Sequence, residues 1–547
     1  MKKMIRKVLV TLGVSAMLLA VSCSRDEEFT VEEPTAVAEE QTGILSKNQL
    51  DDYIVETINR TGTSFDWSSA PDNVVWSAML LSEQIAIVGY KVSGWSTEQS
   101  RQFMLDNDIE KRGLSGEILK IKSELLQIAS EKEAESGQTD RSEMIVYEND
   151  KFLSLYLKIN SIETLKALRQ SENVRYVEPT YHPFVEEITK NYEQTTPEGS
   201  GLYTVGCGTY GPNFSLRPNF DYATIAPDAK ISWNYRYHKI KEAWETGGVS
   251  GRGTGKGIGV AILDTGLGLS QGSLSSTSGL NAGYVTGRTL STWNLLDRSQ
   301  SVDDFCGHGT ALAGTIAAPR RGIGTMVGVA YGSNLYSYKV AEGVLIFGSA
   351  AIRAVTDAYY VSGNTANIRI TSLSMGNVVR ITEVADAIVY AYERGKLNFA
   401  AAGTAAYASW FSVPFANLSN IVFPANMTEY GGEVVMGVTG ITTTYERCVD
   451  CVQGPTVDFA VVMQQSNGTT PLAMARTSNW PTTIGGSSVA TATMAGIAAI
   501  VWGKTSTRPR ADVVSALKAT SDFPSRSNPI FGHGKANAQA AWNVMSN

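Results

Sequence analysis

Ile258-Gly259-Val260-Ala261-Ile262-Leu263-Asp264-Thr265-Gly266 is an almost unbroken apolar run that ends on a carboxylate and a turn. A short apolar run bounded by turn residues reads as a strand buried on both faces, as in parallel sheets. Residues 335–340, 368–373, 397–401 and 434–438 repeat the pattern. Between them, residues 310–318, 350–361 and 381–394 carry apolar side chains at helical spacing. The alternation predicts an α/β fold: a mostly parallel sheet flanked by helices on both faces. Asp264 then falls at the C-terminal end of a buried strand, where open α/β sheets place their active sites. No internal repeat is visible.

The rest of the chain suits such a core. Of 547 residues, 43% are hydrophobic, 18% are charged and 51 are glycine. This excludes a disordered chain, a coiled coil and a collagen-like fibre. A net charge of −7 without a long basic run argues against nucleic acid as a partner. Five cysteines are too few for a disulfide scaffold. The histidines are His182, His238, His308 and His533.

At the N-terminus, Lys2, Lys3, Arg6 and Lys7 precede an apolar segment over residues 8–21. That is the pattern of a secretory leader, too short to span a bilayer. Ala20-Val21-Ser22-Cys23 resembles the lipobox of bacterial lipoproteins, where cleavage falls before the cysteine and its thiol carries the lipid. The expected organisation is a lipoprotein signal peptide over 1–22, lipidation at Cys23 and a flexible tether over 23–46. Asp26-Glu27-Glu28 resembles the signal after the cysteine in surface-exposed lipoproteins of one group of Gram-negative bacteria. The implied location is the Gram-negative envelope, as an outer-membrane lipoprotein exposed at the surface. Residues 489–502 are also apolar, but short and rich in Ala, Thr and Gly, and are expected as a core helix.

Residues 47–185 mix two kinds of signal. Segments 85–92, 144–147, 152–159 and 174–179 read as strands. Segments 116–134 and 161–170 read as helices, the second with Ser161 as N-cap. A small α+β domain is predicted. Residues 186–230 are rich in Gly, Pro and Thr and read as a linker open to cleavage. Residues 231–547 hold the α/β domain.

Three motifs fall in that domain. They are Asp264-Thr265-Gly266, Gly307-His308-Gly309-Thr310 opening a helix, and Gly485-Gly486-Ser487-Ser488-Val489-Ala490-Thr491 opening another. A serine is a weak nucleophile until a base takes its proton. The base needs an acid to fix its tautomer. A helix N-terminus supplies N–H groups for a developing oxyanion. Each motif alone is weak, since Asp-Thr-Gly is often only a turn and Gly-Ser-Ser is common in loops. Together, in this order, they resemble the subtilisin-like serine proteases. Ser372-Leu373-Ser374-Met375-Gly376 is similar to that family's substrate-binding strand. Ala400-Ala401-Ala402-Gly403 is similar to the strand before its oxyanion residue, and Gly532-His533-Gly534-Lys535-Ala536-Asn537 to the segment before its last helix.

The resemblance implies Asp264 as orienting acid, His308 as general base and then acid, and Ser488 as nucleophile, with Ser487 the rival for that role. It implies that Ser374, Met375 and Gly376 pair with the substrate backbone. Thr404 stands at the oxyanion position, where the family usually has Asn. Residues 47–185 become an inhibitor-like propeptide, because Val177-Glu178-Pro179 resembles the ending of such propeptides; residues 100–142 look like an insertion in it. The implied partners are protein or peptide substrates, the chain's own propeptide as inhibitor, and a membrane through the lipid anchor. No cofactor is expected. No metal is expected either, because Pro319-Arg320-Arg321-Gly322 replaces the loop that often binds calcium.

Two other readings compete. One is a catalytically weak or inactive surface lipoprotein that binds peptide along Ser374 to Gly376, suggested by Thr404. The other is an aspartic protease using Asp264, which needs a second carboxylate motif that the chain lacks. Cys448-Val449-Asp450-Cys451 in an exported chain reads as a disulfide rather than half a zinc site. With Cys207 and Cys306 included, three pairings stay open.

Overall fold

The computed structural model describes residues 43–106, 113–137, 141–181, 207–208, 210–268, 287–322, 324–403, 422–428, 433–478 and 480–545. The leader, Cys23, residues 182–206 and Thr404 lie outside the described residues.

The first domain starts with α1 (Lys47–Thr61), opened by Ser46, whose N–H donates to Gln49 Oε1 at 2.9 Å, and closed by Gly62 at φ 70°. It continues through α2 (Asp72–Leu80), β1 (Ile85–Tyr90), α3 (Thr97–Asp106), α4 (Gly116–Glu135), β2 (Ile145–Asn149), β3 (Ser154–Lys158), α5 (Ile162–Arg169) and β4 (Val174–Pro179). The strands form an antiparallel sheet in the order β2-β3-β1-β4. Ser161 caps α5 by accepting the Thr164 N–H at 3.2 Å. Part of the segment read as an insertion, residues 116–135, packs on this domain. Helix α4 packs on α5, and its Ile118, Ile121, Leu125 and Leu126 join the apolar cluster of the sheet.

Within the stretch read as a linker, β5 (Tyr222–Ile225) and β6 (Ala229–Ser232) pair as a hairpin. The Lys230 N–H donates to Thr325 O at 2.8 Å, fixing that hairpin to the domain. Helix α6 (Ile240–Thr246) follows.

Seven strands then make one parallel sheet. They are β7 (Gly259–Asp264), β8 (Leu290–Asn294), β9 (Asn334–Lys339), β10 (Ile368–Leu373), β11 (Leu397–Ala401), β12 (Met436–Thr442) and β13 (Val457–Gln464), in the order β13-β12-β11-β10-β7-β9-β8. Helices α7 (His308–Ala317), α8 (Gly348–Asn364), α9 (Thr382–Glu393) and α10 (Gly486–Gly503) cover it. Alternation along β7 sends Ala261 and Leu263 into one apolar cluster with α8 and α9. Val260 and Ile262 enter the other, with α7 and α10. A hairpin of β14 (Leu472–Met474) and β15 (Pro481–Thr483) leads into α10. Helices α11 (Arg510–Ala519) and α12 (Ala538–Val544) close the chain.

The first domain sits on α8 and α9. Phe152 meets Tyr360 and Tyr390 edge-on at 6.0 and 5.9 Å. Polar groups are buried in the same contact. Asp386 of α9 pairs with Arg175 at 2.6 Å and Arg101 at 2.9 Å. Glu383, also on α9, accepts from Ser154 Oγ at 3.0 Å and from Asn149 and Tyr156. Two carboxylates from the first domain cap the two helices. Glu178 takes the Thr382 N–H at 2.9 Å, and Glu83 takes the Ser349 N–H at 2.6 Å.

Candidate active site

Asp264 ends β7 and His308 begins α7, so sheet and helix bring together two residues of distant sequence. Asp264 Oδ1 stands 2.7 Å from His308 Nδ1, with side chains only 2% and 4% exposed. The carboxylate fixes the Nδ1–H tautomer and leaves Nε2 to accept a proton. Burial pulls the His308 pKa down, but the Asp264 charge, its hydrogen bond and the Asp304 charge outweigh it, and the pKa is raised above 6.5.

Asp304 is the residue that sequence reasoning missed. Its buried carboxylate accepts from Thr265 Oγ1 (2.7 Å), Gly307 N (2.7 Å), Thr310 N (2.7 Å) and Thr310 Oγ1 (2.6 Å). Thr265 Oγ1 in turn accepts the Gly309 N–H at 2.9 Å. The turn after β7 and the first turn of α7 are thereby laced together. A Cβ on Gly309 would lie 2.5 Å from Gly266 O, which explains why glycine follows the histidine. An acidic residue shortly before a helix start was the available signal.

Ser488 is the third residue of α10 and is half-buried. Helix α10 packs against α7. The Ser487 hydroxyl is buried and donates to Gly403 O at 2.7 Å, so it is already engaged; Ser488 is left as the nucleophile candidate. Among the described residues no hydrogen bond joins the Ser488 hydroxyl to His308. Such bonds often tighten only when substrate binds.

Ser374, Met375 and Gly376 follow β10. Ser374 Oγ donates to Ser488 O at 3.1 Å, which ties this segment to the serine helix. Met375 is buried. Gly376 O accepts the Ile346 N–H at 3.1 Å, and Asn377 pairs with Phe423 through N–H to O at 3.0 Å and O to N–H at 2.9 Å. The predicted substrate edge thus already has the chain's own segments on either side.

The cysteines pair as Cys207–Cys306 and Cys448–Cys451. Among the described residues no group of three His, Cys, Asp or Glu could hold a metal ion. His238 is buried, with Nδ1 3.0 Å from Ala536 O and Nε2 accepting the Val462 N–H at 3.1 Å. Burial takes its pKa down to about 4, and it is a core residue. Helix α10 is apolar and long enough to cross a membrane, but 94% of it is buried inside the protein.

A parallel sheet carries the buried Asp264–His308 pair, and the helix that bears Ser488 packs against the helix that His308 begins. The subtilase family model matches residues 255–534, just over half of the chain. The chain belongs to the subtilase family, the serine endopeptidases of peptidase family S8. It is 28% identical over 292 residues to M-protease of Shouchella clausii (strain KSM-K16), across 53% of this chain and 65% of that protein, a little under two thirds. It is 29% identical over 292 residues to Subtilisin BL of Lederbergia lenta, across 53% of this chain and 91% of that protein. Among solved structures, MycP1 from the ESX-1 type VII secretion system matches with a TM-score of 0.43 and 19% identity, over 61% of this chain and 92% of that one.

Proposed function

We propose that this chain is an exported, lipid-anchored serine endopeptidase that processes itself. Ser488 attacks the substrate carbonyl while His308 Nε2 takes its proton and returns it to the leaving amine. Asp264 holds the Nδ1–H and stabilises the imidazolium. Water, activated by the same histidine, then hydrolyses the acyl-enzyme. Backbone N–H groups at the start of α10 face the developing oxyanion, with the Thr404 hydroxyl as a further donor. The observation that carries the reading is the buried Asp264–His308 pair at 2.7 Å, on a loop laced to β7 by Asp304. A fluorophosphonate probe should label the wild type and not Ser488→Ala; label persisting in the variant would sink the assignment.

The domain over 47–185 acts as an inhibitory propeptide. Its buried ion pairs and helix caps on α8 and α9 support this role. In Ser488→Ala the chain should stay in one piece, and normal processing there would assign the cut to another protease. Cys23 carries the lipid, so Cys23→Ala should leave uncleaved precursor or a soluble form. A variant processed and membrane-bound like wild type would remove the anchor from the proposal.

A further inference from the structure

An arm of residues 207–208 and 210–214 joins the two parts of the chain that carry His308 and Ser488. Cys207 is bonded to Cys306, two residues before His308. The Tyr210 ring covers Gly307: a Cβ there would lie 2.7 Å from the ring, and Gly307 sits at φ +81°. Tyr210 O accepts the Arg476 N–H at 3.0 Å. Further along, the Asn213 N–H donates to Pro481 O at 2.9 Å, and Trp480 Nε1 donates to Asn213 O at 2.8 Å. Phe214 packs on Trp480 with ring centroids 5.9 Å apart. Arg476 lies in the connection from β14 to β15 and Pro481 opens β15, which runs into the helix of Ser488. Arg476 also reaches back to Asp303 at 3.2 Å, on the histidine's own loop.

We infer that Cys207 and Tyr210 are positioning residues for the catalytic pair, and that the arm stays with the catalytic domain when the propeptide is removed, the cut falling N-terminal to Cys207. The inference rests on the roles proposed for His308 and Ser488. A general base works only within hydrogen-bond reach of its nucleophile, and misplacement by about 1 Å costs up to ~10²-fold in rate. The arm grips the histidine loop covalently at Cys306 and by contact at Gly307. Its other end is bonded to the hairpin before Ser488. The β5–β6 hairpin that follows is likewise bonded into the domain at Thr325. A cut beyond Cys207 would therefore leave the severed piece attached through sulfur.

The test uses the full-length chain. Wild type and a C207S/C306S double variant are assayed on one peptide substrate, below the unfolding midpoint of both, with active sites counted by fluorophosphonate labelling of Ser488. Turnover per labelled site is expected to fall on the order of tenfold to a hundredfold, with KM unchanged. If the double variant does not fold, Tyr210→Ala keeps the disulfide and should lower kcat by a smaller factor, while Tyr210→Phe restores it. Unchanged turnover per labelled site in the variant that folds would reduce the arm to a stabilising crosslink and overturn the positioning role. A wild type that does not label at Ser488 is a different result, since it overturns the proposed function itself. N-terminal sequencing of the processed catalytic fragment should find a start before Cys207. A start after Cys207, or a peptide released from the fragment only on reduction, would overturn retention of the arm.

Discussion

Arg175 and Asp386 pair at 2.6 Å with side chains 4% and 0% exposed, yet they come from different domains. Burial alone would push the Asp386 carboxyl up; Arg175 and Arg101 together hold it below the usual carboxylate range. Breaking a buried pair by removing one partner leaves an uncompensated charge and costs about 3–5 kcal/mol. Asp386→Asn should therefore weaken the grip of the first domain by roughly a hundredfold to a few thousandfold. In processed protein the two pieces should co-elute from a sizing column in the wild type and separate in the variant. Co-elution of both would place the grip elsewhere.

The same contact makes docking depend on pH. Burial raises Glu178 to about 8 against the opposing Thr382 hydrogen bonds, with Asp66 adding to the rise and Arg380 opposing it. Burial raises Glu383 to about 7 against hydrogen bonds from Tyr156, Asn149 and Ser154, with Asp357 adding to the rise. A glutamate carboxyl open to water titrates near 4.5, and separation exposes both groups towards that value. The docked state thus holds more protons between those values, so docking is strongest at the acid end and weakens as pH rises from 4.5 towards 8. The cleaved complex should dissociate faster at a pH of about 8 than at about 6, and Glu383→Gln should flatten that slope. Equal rates at both values would contradict the assignment.

In its proposed role as general base, His308 sets the acid side of activity. It must be neutral to take a proton, so kcat/KM should fall as pH drops through a value above 6.5. Asp264→Asn removes the charge that favours the imidazolium and should move this limb to lower pH. It should also cost about 10⁴ in kcat, because the tautomer is no longer fixed. A pH–rate profile of both proteins decides; an unmoved limb would mean that another group titrates.

Asp304 predicts a combined defect. Asp304→Ala strips four hydrogen bonds from the junction of β7 and α7 and leaves buried donors unmet, each costing roughly 1–3 kcal/mol. The thermal midpoint should fall, and kcat should fall further than the loss of folded protein explains. Turnover that tracks only the folded fraction would confine Asp304 to stability.

Much of the sheet was legible because β7, β9, β10 and β11 are buried on both faces and carry their apolar runs openly. Strand β8, at the sheet edge with polar and half-exposed residues, gives no such run. Helix α2 was missed for the opposite reason: six consecutive residues, Val74 to Met79, are buried, and a helix enclosed on most sides shows no stripe. At the candidate site, Asp264, His308 and Ser488 each sit in a short motif visible in the sequence. For Asp304 the sequence offers only an acidic residue shortly before a helix start, because its partner Thr265 comes near only when strand and helix are side by side. Cys207 and Cys306 lie 99 residues apart, and composition made the segment after Cys207 look like free chain although it holds the β5–β6 hairpin and is bonded to Pro481 and Trp480.

Helix α10 has 18 residues, and every one except Ser488 is buried. Such a helix cannot fray or pivot without breaching the close-packed side chains around it. No partial loosening of this part of the molecule leaves the nucleophile usable and the rest intact. Heat inactivation should accordingly be all or none, and the working life of the activity becomes the lifetime of the entire fold.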